Sequence, residues 1–318
     1  MSHSENVMDV LLLFVPILIT FAFGFLFRVT GYLSQDVCER LIEYLMKVPI
    51  PIATFYALTK IEPSMLSSMH YFIYIYAILN CAFLGGGFLI FRMLRFSYNA
   101  SVSYASAIFF SNLVFFALPI FLTMPASTHG IYMPVFAIGV AITVGLFALV
   151  IMPMYQMGSG TLTMASARRI LVDTLHIPLV LAVIIGILFL LSGQSVSIQV
   201  EHMLARSGGV LASTGLIALG MCMDYRFFTR FNPVVWSAII AKSILMPLAA
   251  IGLMQWFPLD AQHTFAMVIM TACPAAGISA MTAKQYSDVS DHVTDIMVGS
   301  TVVSIMTFPY WIHLAQTL

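Results

Sequence analysis

Residues 111–120 read SNLVFFALPI, inside a stretch from Ala100 to Met124 that carries no charge. Asn112 and Pro119 stand seven residues apart there, deep in a segment long and apolar enough to span a membrane. An amide in hydrocarbon is costly without a partner, and an internal proline removes one helix hydrogen bond. Both costs at one depth predict a helix that is broken inside the membrane, with the break as the candidate site.

The rest of the chain has the same character. It is 61% hydrophobic and 8% charged over 318 residues, against about 25% charged residues in a soluble domain. Apolar runs follow one another closely, which makes the chain an all-α, polytopic integral membrane protein. Thirteen basic and thirteen acidic residues cancel, so no basic patch points to nucleic acid. The N-terminus MSHSENVMD lacks a basic region, and the apolar stretch from Val10 is too long for a cleavable signal peptide. Cys38, Cys81, Cys222 and Cys273 form no C-x-x-C and read as small buried apolar residues. The eight histidines show no metal spacing, and H-E-x-x-H and P-loop patterns are absent, so no metal or cofactor is expected.

Ten spans are predicted, at 8–28, 37–60, 70–91, 100–124, 131–155, 169–191, 203–223, 232–256, 262–285 and 292–315. The longest connection, GSGTLTMASA (158–167), divides them into five plus five. An odd number of spans per half requires two repeats, 1–155 and 169–318, to lie inverted with respect to each other. Span four breaks at Asn112–Pro119, and span nine at Cys273-Pro274-Ala275-Ala276-Gly277. Span three carries Asn80 and span eight carries Lys242 at comparable places. Interrupted segments at corresponding positions of two halves point to a transporter's binding site.

Orientation follows from the basic residues. Arg28, Arg40, Arg92, Arg95, Arg168, Arg169, Arg226, Arg230 and Lys284 fall on one side, with Lys60 and Arg206 on the other. The first side is therefore cytoplasmic, and both termini face away from it.

Each polar residue in a span has two readings. Asn112 binds a substrate or clasps two helices. Pro119 and Pro274 free backbone N–H groups and half-helix positive ends for a carboxylate, or are simple kinks. Lys242 lies ten residues into its span, ~15 Å deep at 1.5 Å per residue; it attracts an anion or pairs with Glu43 or Asp295. Asp36, Glu39, Arg40, Glu43 and Lys47 line one face of span two, with Glu43 and Lys47 an i,i+4 pair. That stripe is self-paired, or it couples transport to H⁺ or Na⁺. Gly277-Ile278-Ser279 is half of a G-x-S-x-G hydrolase turn without a base at matching depth, and reads as backbone freedom at the break. His176, three residues after Asp173, reads as structural ahead of a proton relay.

Nearly end to end, the chain resembles the auxin efflux carrier family, which includes plant PIN-type exporters and bacterial carriers of malonate and similar acids. The resemblance rests on FAFGFLFRVTGYLSQDVCERLIEYLMKVPIPIATF (21–55), Asn112 with Pro119, HIPLVLAVIIGILFLL (176–191) and ALGM (218–221). It continues through KSILMP (242–247), ACPAAGISAMTAKQY (272–286) and STVVSIMTFPYW (300–311). Ser279 stands where plant carriers have a second proline, and Ala117 where a glycine is usual. The long plant cytosolic loop and the ionisable pair on span three have no counterpart.

The resemblance implies a scaffold and dimer contact from spans 1, 2, 6 and 7. It implies a transport unit from spans 3–5 and 8–10, crossing at the breaks of spans four and nine. The architecture is akin to bile-acid/sodium symporters and sodium/proton antiporters. The substrate it implies is a small organic anion moved by an elevator-type shift, bound among Asn80, Asn112, Pro119, Lys242, Pro274, Gly277 and Ser279. Glu43, Lys47 and Asp295 are the coupling or ion-pair candidates. An alternative is a sodium- or proton-coupled symporter of a larger amphipathic anion. A sensor, a channel or an intramembrane enzyme using Ser279 ranks below both. Short loops without a plant-type insertion point to a bacterial inner membrane, and the resemblance implies a homodimer.

The topology is directly testable. An alkaline phosphatase fusion after Leu318 should be active, and one in loop 156–168 inactive; the reverse pattern overturns the orientation.

Overall fold

Apolar runs without water to bind their backbones must satisfy every N–H and C=O internally, so they fold as helices. The computed structural model describes residues 3–124, 129–158, 168, 172, 174–194, 196, 197, 199, 211, 214–221, 223 and 231–318. Cys222, Asp173, Arg169, Arg206, Arg226 and Arg230, the 159–167 link and much of span seven lie outside the described residues.

In chain order the helices are α1 (His3–Val29), α2 (Gln35–Lys47), α3 (Pro49–Thr59), α4 (Pro63–Ser68) and α5 (His70–Met93). Next come α6 (Tyr98–Phe109), α7 (Leu118–Thr123), α8 (His129–Leu146), α9 (Met152–Gly158) and α10 (Pro178–Ser192). The chain ends with α11 (Pro233–Ile240), α12 (Met246–Met254), α13 (Ala261–Ala272), α14 (Gly277–Tyr286) and α15 (Ser290–Thr317). Residues 214–221 are also helical. Among the described residues five runs are long and apolar enough to cross a membrane: Asp36–Thr59, His70–Met93, Gly130–Gly158, Pro233–Met254 and Ser290–Thr317. Leu18–Val29, Leu113–Leu122 and Pro178–Ser192 are shorter apolar helices.

Prolines set most of the irregularities. Val48 leaves the helical region (φ −124°, ψ −71°) between α2 and α3, as a residue before proline tends to do. Span six is expected from 169; residues 172, 174 and 175 are helical, but the helix is interrupted at 176–177, where Ile177 turns extended, and α10 begins at Pro178. The unforeseen α4 starts on Pro63, a favoured first helical residue.

Three π turns, Leu113–Ala117, Phe147–Ile151 and Ala241–Leu245, share one cause. Each closes with an N–H reaching five residues back: Leu118 to Leu113, Met152 to Phe147 and Met246 to Ala241. A proline follows at once, at 119, 153 and 247. Its ring crowds the carbonyl four residues earlier and offers it no donor, and a widened turn relieves that clash.

α5 packs along α6, α3 along α10 and α13 along α15. Helix 214–221 crosses α1 at backbone distance: a Cβ on Gly24 would stand 2.1 Å from the Ile217 carbonyl oxygen, and one on Gly220 2.2 Å from that of Phe21. The cysteines do not all behave as expected: Cys38 and Cys273 are buried, but Cys81 is exposed.

The glycine crossing predicts a stability difference. Gly220→Ala forces two backbones apart and should cost about 1–3 kcal/mol, whereas Gly252→Ala meets nothing within 4 Å and should be neutral. Apparent melting temperatures in detergent check this; equal values for the two variants would contradict such close packing.

Candidate functional site

Spans four and nine are both interrupted, and the interruptions meet. α6 ends at Phe109, and Phe110 (φ −78°, ψ 101°) is extended. α13 ends at Ala272, with Cys273 (φ −59°, ψ 144°) and Ala276 (φ −80°, ψ 144°) extended before α14. The two stretches form an antiparallel bridge between Ser111 and Ala275. The Asn112 N–H donates to the Pro274 carbonyl at 2.8 Å, and the Ala276 N–H donates to the Phe110 carbonyl at 2.8 Å. Two amides and two carbonyls that water would otherwise have to satisfy are paired inside the protein.

The remaining groups are satisfied differently on the two sides. On the first, the Asn112 side-chain oxygen caps its own half-helix, accepting from the Phe115 N–H at 3.4 Å. On the second, α15 supplies the partners: Ser300 Oγ accepts from the Ala275 N–H at 3.0 Å, and Ser304 Oγ donates to the Ala272 carbonyl at 3.0 Å. Ser279 Oγ ties α14 to α6 by donating to the Ser106 carbonyl at 3.2 Å.

Lys242 sits on the π turn before Pro247 and is fully buried (0% exposed). Its ammonium donates to Ser111 Oγ, on the bridge itself, and to Met246 Sδ at 3.2 Å. The Tyr76 hydroxyl, also fully buried, lies beside Ser111 and Asn80. Because Thr143 Oγ1 donates to the Gly139 carbonyl at 2.7 Å, the Tyr76 hydroxyl is the donor in its 3.2 Å bond to Thr143. Asn80 donates Nδ2–H to the Tyr76 carbonyl at 2.7 Å, while its Oδ1 has no hydrogen-bond partner among the described residues.

The predicted residues therefore divide. Asn112 and Pro274 join through the bridge, Lys242 reaches it through Ser111, and Asn80 approaches it beside Tyr76. Gly277 and Ser279 open the following half-helix. A Cβ on Gly277 would make only ordinary contact, 3.6 Å from Met297 Sδ, so sterics do not demand glycine there.

Pro119 is not at the break, which lies at residues 110–112; it sits inside the second half-helix and shapes the π turn instead. The expected pairing of Lys242 with Glu43 or Asp295 is not formed. Lys242 has the two partners just named, and Glu43 binds Lys47 at 2.5 Å on an exposed face of α2. At the breaks, where backbone N–H groups freed by the prolines are expected for a ligand, the N–H groups of Asn112 and Ala276 are consumed by the bridge. His176 is exposed, its Nδ1 2.6 Å from the Val172 carbonyl.

The fold adds Ser111, Tyr76, Thr143, Ser300 and Ser304 to the residues the sequence points to. Ser300 and Ser304 carry a readable signal, two hydroxyls at i,i+4 on one helix face. Ser111 stood beside Asn112 in the quoted stretch, but only the fold reveals that it faces Lys242. Among the described residues no cluster of His, Cys, Asp or Glu could hold a metal ion.

A family model described as membrane transport protein matches residues 9–312. No curated protein matches the chain.

The Lys242 geometry generates a stability prediction. A buried charge without a counter-charge is costly, and an apolar residue of similar volume can stabilise by about 1–4 kcal/mol. Lys242→Met should raise the apparent melting temperature of the ligand-free protein, and Ser111→Ala should lower it. A fall in both variants, measured by thermal unfolding in detergent, would make Lys242 a net stabilising contact.

Proposed function

The chain belongs to the membrane transport protein (auxin efflux carrier) family, and from that premise we propose that it is a secondary transporter of a small organic anion, a mono- or dicarboxylate. The observation that carries the reading is Lys242, a fully buried cation whose partners at the crossover are a hydroxyl and a thioether. A carboxylate arriving there supplies the counter-charge that Lys242 lacks among the described residues, and a charge-assisted hydrogen bond is about twice as strong as a neutral one. Asn112 contributes its amide N–H₂, while Asn80, Pro274, Gly277 and Ser279 shape the surroundings. Pro119 acts at a distance, through the turn that aims its half-helix.

In this reading the unit of spans 3–5 and 8–10 carries the site as a body past a scaffold of spans 1, 2, 6 and 7. The protein works as a homodimer in a bacterial inner membrane, with both termini on the non-cytoplasmic side.

The test is a thermal-shift and binding screen of the purified protein against mono- and dicarboxylates, with and without Na⁺ and across pH; those arms also separate H⁺ coupling, Na⁺ coupling and drive by the membrane potential alone. Wild type should be stabilised by at least one carboxylate. Asn112→Asp keeps an oxygen to cap the half-helix but sets an anion against an anion. It should lose affinity by about tenfold to hundredfold, the worth of one charge-assisted hydrogen bond, without unfolding. Asn112→Ala should lose affinity and stability together, since it also removes the cap. The reading fails if no carboxylate shifts wild type, or if Asn112→Asp binds as wild type does.

A further inference from the structure

Away from the crossover, at the end of the bundle that carries Arg92, Arg95 and Lys284, one histidine joins three helices. His292, in the first turn of α15, has Nδ1 2.5 Å from the Tyr104 hydroxyl of α6 and Nε2 3.1 Å from Asn232 Nδ2. Asn232 is the N-cap of α11, the helix that runs directly into the π turn of Lys242. Tyr104 is fully buried and fixed by stacking on Phe91 (centroids 4.5 Å apart) and edge contact with Phe96 (5.1 Å).

Donor accounting fixes the state of the ring. Asn232 Oδ1 is already committed, accepting from the Val234 N–H at 2.9 Å and the Val235 N–H at 3.4 Å. The amide therefore turns its N–H₂, which can only donate, toward His292. His292 Nε2 must accept, so the ring is neutral with its proton on Nδ1, and Nδ1–H donates to the Tyr104 oxygen. A second proton on the ring would set an N–H against an N–H₂. Asn232 could escape only by flipping its amide, and so abandoning both cap hydrogen bonds, or by moving away.

We propose that His292 is a proton-operated latch: in its neutral form it fastens the start of α11 to α6 and α15, and protonation releases the cap of the helix that carries Lys242. Histidine is the side chain whose charge changes near neutral pH, and this ring is only partly buried, so a proton can reach it. Among the described residues the groups that meet it from packed helices are Tyr104 and Asn232; Asp288, in the link before α15, acts electrostatically on Tyr104, Asp291 is its exposed neighbour on α15, and the partly buried Asp295 stands three residues further along the same helix. Transport should therefore respond to pH on this side even if the substrate itself carries no proton. The fastened state prevails at high pH and is lost as pH falls.

Hydrogen–deuterium exchange of the full-length protein in lipid nanodiscs reads the latch without any transported anion, so its outcome is independent of the carboxylate reading. Exchange across residues 231–240, corrected for intrinsic rates, is compared at about pH 8 and about pH 5.5, on either side of the range where histidine titrates. Wild type should exchange about five- to tenfold faster at the lower pH, the worth of roughly one hydrogen bond. His292→Gln keeps an acceptor for Asn232 but takes up no proton, and should stay protected at both values. Asn232→Asp still caps α11 and offers an acceptor to the protonated ring, so the dependence should reverse. The latch is refuted by a pH-independent wild type. It is equally refuted if the low-pH loosening persists in His292→Gln, or if Asn232→Asp loosens at low pH as wild type does.

Discussion

Two backbone hydrogen bonds, Asn112 N–H to the Pro274 carbonyl and Ala276 N–H to the Phe110 carbonyl, are what allow two helices to be interrupted in so apolar a chain. Either break alone would leave amides and carbonyls facing hydrocarbon, at several kcal/mol each. Placed side by side and antiparallel, each break completes the other. Spans four and nine must therefore cross at their interruptions, and α6, α7, α13 and α14 are oriented around that point. The same constraint places Ser111, the bridging residue, where a buried lysine can reach it.

Proline acts through two routes that are easily confused in sequence. Pro274 lies within a break and contributes through its carbonyl, since it has no N–H to contribute. Pro119, Pro153 and Pro247 lie inside helices that continue, and each is preceded by a π turn that swells to clear the ring. In span eight that turn is where Lys242 is mounted. The side chain's aim toward the bridge thus depends on a proline five residues further on, which fits the frequent use of π turns at functional positions.

Helix content, the five long apolar runs among the described residues and the two breaks were legible because each rests on local chemistry: unbroken apolar length, or a proline and small residues where a helix should continue. The family was legible from motifs spread along the whole chain. What sequence could not supply was partnership. Glu43 and Lys47 stand four residues apart, so their pairing was readable. Lys242 meets Ser111 across 131 positions, and Ser304 meets the Ala272 carbonyl across 32. Such pairs follow only from how the helices pack. For the same reason Pro119 was misplaced at the break: a proline seven residues from an asparagine looks like one interruption until the chain between them proves helical.

The asymmetry between the two breaks has a consequence for how the molecule moves. The first carries its own cap in Asn112, whereas the second depends on Ser300 and Ser304 of α15. Span nine's interruption therefore cannot shift relative to α15 without exposing an amide and a carbonyl, so the two travel together. The same helix carries His292 at its start, two turns and about 12 Å from Ser300, where it holds α6 and the cap of α11. One continuous helix thus touches both ends of the machinery: the start of the helix that carries Lys242, and the bridge that Lys242 reaches. A change in how α15 is held at His292 has a short, rigid route to the crossover, along a single helix rather than through a chain of loosely packed side chains.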